Sequence, residues 1–131
     1  MRRYGIDAAT LLHLLEHDTP VGADVQLVAP NSVRSEALEI LLRDVAAGRR
    51  TDRDALALHE RLTAVKIRLL GDRVSRGTAW RIARDRGWTT LREAELLAVT
   101  KLQADALVTI DPDVAAKAAD VVPLADLDAL A

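Results

Sequence analysis

The segment Ala106-Leu107-Val108-Thr109-Ile110-Asp111-Pro112-Asp113 joins two local signals. Residues 106–110 are a short apolar, β-branched run that reads as a strand. Asp-Pro directly after them reads as a helix start, with Asp111 as N-cap and Pro112 at the first helical position. The chain opens with the same device: residues 3–6 read as a strand and Asp7 follows at once. Further strands are predicted at 24–29 and 121–124. Helical patterns fill the intervals: residues 8–17, rich in Leu; a stripe of Val33, Ala37, Ile40, Leu41 and Val45, closed by Gly48; then 52–70, 75–86 and 91–103. Strands alternating with helices imply a parallel sheet covered on both faces, an α/β protein built as a three-layer α/β/α sandwich. No repeat, linker or low-complexity tract breaks the chain, so one domain over residues 1–131 is expected.

Composition excludes several classes of function. Half of the 131 residues are apolar, enough for a core without staples. There is no cysteine, which removes disulfide scaffolds, thiol nucleophiles and Cys-based metal sites and favours a cytoplasmic home. No run is long enough to span a membrane, and Asp7 interrupts the N-terminus before a signal core forms, so no membrane attachment or export is expected. Aromatics are limited to Tyr4, Trp80 and Trp88, too few for a base-stacking sheet of RRM or OB type. The net charge of −2 hides an asymmetry: residues 41–92 carry 13 basic and 6 acidic residues, leaving 5 basic and 14 acidic elsewhere. Such a basic block suits a polyanion, or else a solvated helical face.

Ligands of open parallel sheets gather at the carboxyl ends of the strands. Asp7 and Asp111 occupy such positions, with Asp113 two residues on. Glu36 falls in the first turns of the helix after the second strand, and Glu93 in the first turn after Thr89-Thr90. Crowded carboxylates repel, and a bound cation relieves that cost; oxygen ligands suit Mg²⁺ or Mn²⁺, which can activate a water against a phosphodiester. Each acid also has a local role open to it. Asp7 and Asp111 can cap helices, Thr90-x-x-Glu93 spells a capping box, and Glu36 can simply favour the positive end of its helix. Convergence on one sheet edge is what the metal site demands and the separate caps do not.

These residues resemble the PIN-domain ribonucleases, specifically the VapC-like toxins of bacterial toxin–antitoxin pairs. The resemblance spans essentially the whole chain. It rests on Tyr4-Gly5-Ile6-Asp7 before a Leu-rich helix, on residues 27–38 (LVAPNSVRSEAL), on 90–99 (TLREAELLAV) and on 104–113 (ADALVTIDPD). It implies a PIN-like fold and a metal-dependent endoribonuclease, the toxin of its pair, that hydrolyses RNA phosphodiester bonds. Asp7, Glu36, Glu93 and Asp111 would bind Mg²⁺ or Mn²⁺, with Asp113 a further ligand or water holder. It also implies a homodimer and a VapB-like antitoxin that places an Arg in the acidic pocket, with DNA reached only through that antitoxin. The third acid is usually Asp, whereas Glu93 stands here; Glu95 lies about 200° further around a helix. The small hydroxyl residue usual after the first Asp is replaced by Ala8, leaving Asn31, Ser32 or Thr109 to support the acids. The basic block would bring RNA to the acidic pocket, and residues 56–70 and the helix from Ala79 onward would offer surfaces to partners.

Other constellations compete with this reading. His13-Leu14-Leu15-Glu16-His17 is an H-x-x-E-H helix motif able to present two histidines to zinc, but no third ligand follows. A haloacid-dehalogenase-like phosphatase needs a second Asp where Ala9 stands. The alternatives from other classes are a receiver-like signalling domain and a catalytically silent binding module of the same fold.

Overall fold

The computed structural model describes all residues, 1–131. Its elements run β1 (Arg2–Ile6), α1 (Ala8–Glu16), β2 (Val25–Pro30), α2 (Val33–Ala46), α3 (Asp52–Thr63), β3 (Ile67–Leu70), α4 (Arg73–Arg86), α5 (Arg92–Gln103), β4 (Ala106–Val108), α6 (Pro112–Ala118) and β5 (Leu124–Ala125), ending in a 3₁₀ turn, Leu127–Leu130. All strand pairs are parallel, in the order β3-β2-β1-β4-β5. Successive strand residues face opposite sides of the sheet, which gives the molecule two cores. Ile6, Leu27, Ala29 and Val108 pack with Leu11, Leu41, Leu58 and Leu62 under α1, α2 and α3. Leu107 packs with Ile82, Leu97, Ala118 and Val122 under α4, α5 and α6. The result is the expected three-layer α/β/α sandwich. No helix is long and apolar enough to cross a membrane.

The order differs from that of a receiver-like domain, whose sheet runs 2-1-3-4-5. Here the chain winds outward from β1 through β2 to β3 and then returns to place β4 on the other side of β1. The switch point, where loops diverge and leave a crevice, is therefore between the carboxyl ends of β1 and β4.

Three expected elements are corrected. The helix expected over 52–70 stops at Thr63, and Ile67–Leu70 forms the edge strand β3. Val65, Ile67 and Leu69 alternate with Lys66 and Arg68, a period of two that pairing with β2 satisfies and a continued helix would not. A continuous helical partner surface over 56–70 is thereby removed. The strand expected over 106–110 is shorter, because the Thr109 hydroxyl binds Asp7 and Ile110 turns outward. The strand expected over 121–124 shifts to Leu124–Ala125, because the N–H groups of Val121 and Val122 close the end of α6 on the Ala118 carbonyl.

Gly5 permits the closest approach between layers. A Cβ there would collide with the Thr100 hydroxyl on α5 and would lie 3.0 Å from Thr100 Cβ. On the opposite face, Arg50 ties α2 to α1 by pairing with both Asp44 and Glu16, and Arg49 also reaches Asp44. The Arg50 hydrogen bond, chiefly, holds the Asp44 carboxyl below its ordinary value of 3.8. The folded state thus favours the charged form: the stabilisation is complete above that ordinary value and is lost as pH falls through the lowered one. Asp44→Asn should cost about 1 kcal/mol at neutral pH. In thermal melts across pH, the gap from wild type should close below the ordinary carboxylate range.

Candidate active site

The carboxyl ends of the strands open into a cavity of about 710 Å³, lined by Asp7, Glu36, Glu39, Glu93, Glu95 and Asp111 together with Arg43 and Arg92. Four of these, Asp7, Glu36, Glu93 and Asp111, are acids that the sequence pattern places at the sheet edge. They come from four separate parts of the chain: the starts of α1, α2, α5 and α6.

Asp7 caps α1, accepting from the Thr10 N–H at 3.2 Å. Its Oδ1 also takes the Thr10 hydroxyl, and its Oδ2 takes the Thr109 hydroxyl at 2.8 Å. Both threonines are themselves engaged as acceptors: Thr10 Oγ1 receives the Ile110 N–H at 3.0 Å and Thr109 Oγ1 the Asp111 N–H at 3.1 Å. Each hydroxyl proton is consequently directed at Asp7, whose two carboxylate oxygens accept from Thr10 and Thr109. Thr109 is thus a support that the sequence suggested, whereas Thr10 was not assigned. Its signal was available, since an N-cap Asp with a hydroxyl residue three positions on brings the two side chains together.

Asp111 caps α6 through Oδ1, which accepts from Asp113 N at 2.9 Å and Val114 N at 3.4 Å, leaving Oδ2 without a protein partner. Asp113 is exposed and does not line the cavity; its N–H serves Asp111. For both aspartates the capping and site roles coexist, because a helix start at a strand's carboxyl end aims its cap residue into the crevice.

Glu36 accepts from Ser32 Oγ at 3.1 Å and pairs with Arg92 at 3.2 Å. Burial pushes its pKa up; Arg92 and Ser32 oppose that shift, and Glu95 reinforces it. Asn31 makes no such contact, lying instead against Gly71. The expected Thr90–Glu93 capping box is not formed: α5 starts one residue later, with Leu91 as N-cap, and Glu93 pairs with Lys117 at 3.1 Å. Lys117 also sits over the Trp88 ring, 5.6 Å from its centroid. Glu95, which a helical projection turns away from Glu93, nevertheless lines the same cavity and has no ion-pair partner, because the cavity wraps around the start of α5.

The donors are all hard oxygens, the chemistry that suits Mg²⁺ or Mn²⁺ held partly through water. As the side chains stand, no three histidine or acidic residues are grouped to hold one ion. Two of the acids are instead turned to Arg92 and Lys117. The His13–His17 pair gains no third ligand either: the rings lie 4.3 Å apart, and Glu16 between them is taken by Arg50.

No family model and no curated protein matches the chain. Several solved structures share its architecture, two of them as follows. PAE2754 from Pyrobaculum aerophilum superposes with a TM-score of 0.73 at 24% identity, over 99% of this chain and 92% of that one. VapBC-1 from nontypeable Haemophilus influenzae superposes with a TM-score of 0.61 at 14% identity, over 95% of this chain and 97% of that one. At these identities the likeness is one of fold, and the fold is the PIN-like one that the sequence resemblance implied.

Proposed function

We propose that this chain is a divalent-metal-dependent endoribonuclease and the toxin of a toxin–antitoxin pair. The observation that carries the reading is the meeting of Asp7, Glu36, Glu93 and Asp111, from four separated segments, in one cavity at the switch point of a PIN-like sheet. Six acids against two arginines make the cavity lining costly without a counter-cation. Asp7 and Asp111 are the ligands fixed by the surrounding hydrogen bonds, Glu36 is the partly buried third, and Glu93 or Glu95 completes the set from α5. Bound Mg²⁺ or Mn²⁺ would neutralise this cluster and activate a water against the phosphodiester. No side chain needs to act as a covalent nucleophile. The fold likeness to VapBC-1 supports a VapB-like antitoxin as partner, and a homodimer and a cytoplasmic setting belong to the same reading.

The purified chain should cut RNA when Mg²⁺ or Mn²⁺ is supplied and stop when EDTA is added; cleavage persisting in chelator would end the metal mechanism. Arg92 competes with a cation for Glu36, so Arg92→Ala should tighten Mn²⁺ binding several-fold in a calorimetric titration. Unchanged or weaker binding would exclude Glu36 as a ligand.

One observation favours a second reading. The Glu36–Arg92 and Glu93–Lys117 pairs already neutralise two of the acids within the chain, as a silent binding module of this fold would require. Such a module would bind its antitoxin yet show neither cleavage nor Mn²⁺ binding.

A further inference from the structure

We propose that the outward face of α4 is a docking platform for single-stranded RNA, with Trp80 stacking on an unpaired base and Arg73, Arg76 and Arg84 taking the neighbouring phosphates. The proposal rests on the reading of RNA as substrate, though not on its cleavage.

α4 packs against α5 through Ser75, Thr78, Ala79, Ile82 and Ala83. Directly opposite runs the ladder Arg73, Gly77, Trp80 and Arg84, spaced four, three and four residues, which places all of them on one side of the helix over about 16 Å. The helix holds five arginines and a single acid, Asp85, for a local charge of +4. Arg73 and Arg84 make no side-chain hydrogen bond or ion pair. Elsewhere in the basic block, Arg43, Arg49, Arg50, Arg61 and Arg92 are each paired with an acid. Arg53, Lys66 and Arg68 are unpaired but scattered over two other elements and a loop, whereas α4, although its Arg86 pairs with Asp120, carries Arg73, Arg76, Arg81 and Arg84 without an acid partner on one helix.

Trp80 is 61% exposed in a chain with only three aromatic residues, and the other two are partly buried. It stacks on no ring and lies under no cation, unlike Trp88. Gly77, one turn earlier, has no packing reason to be glycine: an added Cβ would meet nothing within 4 Å, and its φ is an ordinary helical one. Glycine inside a helix is destabilising relative to alanine. Here it leaves bare backbone beside the indole, a shelf on which a planar base can lie. An indole bordered by guanidinium groups is the combination that holds single strands, by stacking and by phosphate contact. The chain leaving α4 at Arg86 reaches the cavity-lining Thr90 four residues later, although no α4 residue itself lines the cavity. Strong positive charge with little apolar area beyond Trp80 and Val74 disfavours an apolar protein partner.

The test uses the full chain in EDTA, where no cleavage is expected, and a fluorescein-labelled oligouridylate, read by anisotropy and by tryptophan quenching. Trp80→Ala should weaken binding about tenfold and remove most of the quench, while Trp80→Phe keeps most of the affinity. Arg73→Ala and Arg84→Ala should each flatten the slope of log affinity against log salt by about 0.7. Gly77→Ala should raise the melting temperature and yet weaken binding, a pairing that a merely structural glycine would not produce. The proposal is overturned if wild type does not bind in EDTA, if Trp80→Ala binds within twofold of wild type, or if the salt slopes do not move. It is equally overturned if Trp80→Ala changes only the oligomeric state in sedimentation, which would assign the face to a second copy. Because binding is read without metal, absence of cleavage in Mg²⁺ or Mn²⁺ would defeat the nuclease reading and leave this one standing.

Discussion

Asp7→Asn is expected to lower RNA cleavage by about three orders of magnitude and to abolish growth inhibition, while costing only about 1 kcal/mol of stability. The two effects separate because of the way Asp7 is held. An asparagine keeps Oδ1 for the Thr10 N–H and hydroxyl, so α1 retains its cap. Its amide group then faces Thr109 Oγ1, which already accepts from Asp111 N but has a second lone pair to offer. What disappears is the negative charge at the switch point, on which the attraction for a divalent cation depends. Cleavage rates and thermal melts of the variant decide the matter. Wild-type cleavage would remove Asp7 from the site, and loss of cooperative unfolding would make it a structural residue first.

Gly5→Ala is expected to destabilise the protein by about 1–3 kcal/mol and to reduce cleavage with it, although residue 5 touches no substrate. The added methyl would run into the Thr100 side chain on α5, whose hydroxyl is bonded to the Leu96 carbonyl at 2.8 Å in a fully packed interior. A short, buried, β-branched side chain has no open rotamer to escape into. α5 itself has to lift, and it carries Glu93 and Glu95 at its start. Thr100→Ala should partly restore stability in the Gly5→Ala background, because it deletes the colliding atoms; the Thr100 Cβ, 3.0 Å from the added methyl, keeps the rescue incomplete. A double-mutant cycle by chemical denaturation measures this coupling. A coupling near zero would show that the two layers do not meet through this pair.

The two aspartates were legible in the sequence because their placement is local: each follows a strand and opens a helix, and both signals lie within a few residues of Asp7 and Asp111. Glu36 was legible for the same reason, as an acid in the first turn after a strand. The loss of β3 inside an expected helix has an equally local cause. Leu58 and Leu62 carry a helical stripe whose next apolar members, Val65, Ile67 and Leu69, also satisfy an alternation of two. Only the open edge of β2 decides between the two periods, by offering hydrogen bonds to the backbone from Ile67 onward. α5 starts one residue later than the Thr90 capping-box pattern implies, and that residue changes the role of Glu93. A capping box would have turned its carboxylate back to the backbone, whereas the observed start sends it to Lys117.

By itself the sequence determined the alternation of strands and helices, hence the parallel α/β/α sandwich, and which acids stand at strand ends; these follow from periodicity and capping, which act over a few residues. Tertiary structure decided what each acid touches. Thr109 reaches Asp7 across 102 residues, Lys117 reaches Glu93 across 24, and Arg92 meets Glu36 from another element. Such contacts depend on strand order and on how closely α5 approaches β1, which are properties of the packed sheet and leave no periodic trace along the chain.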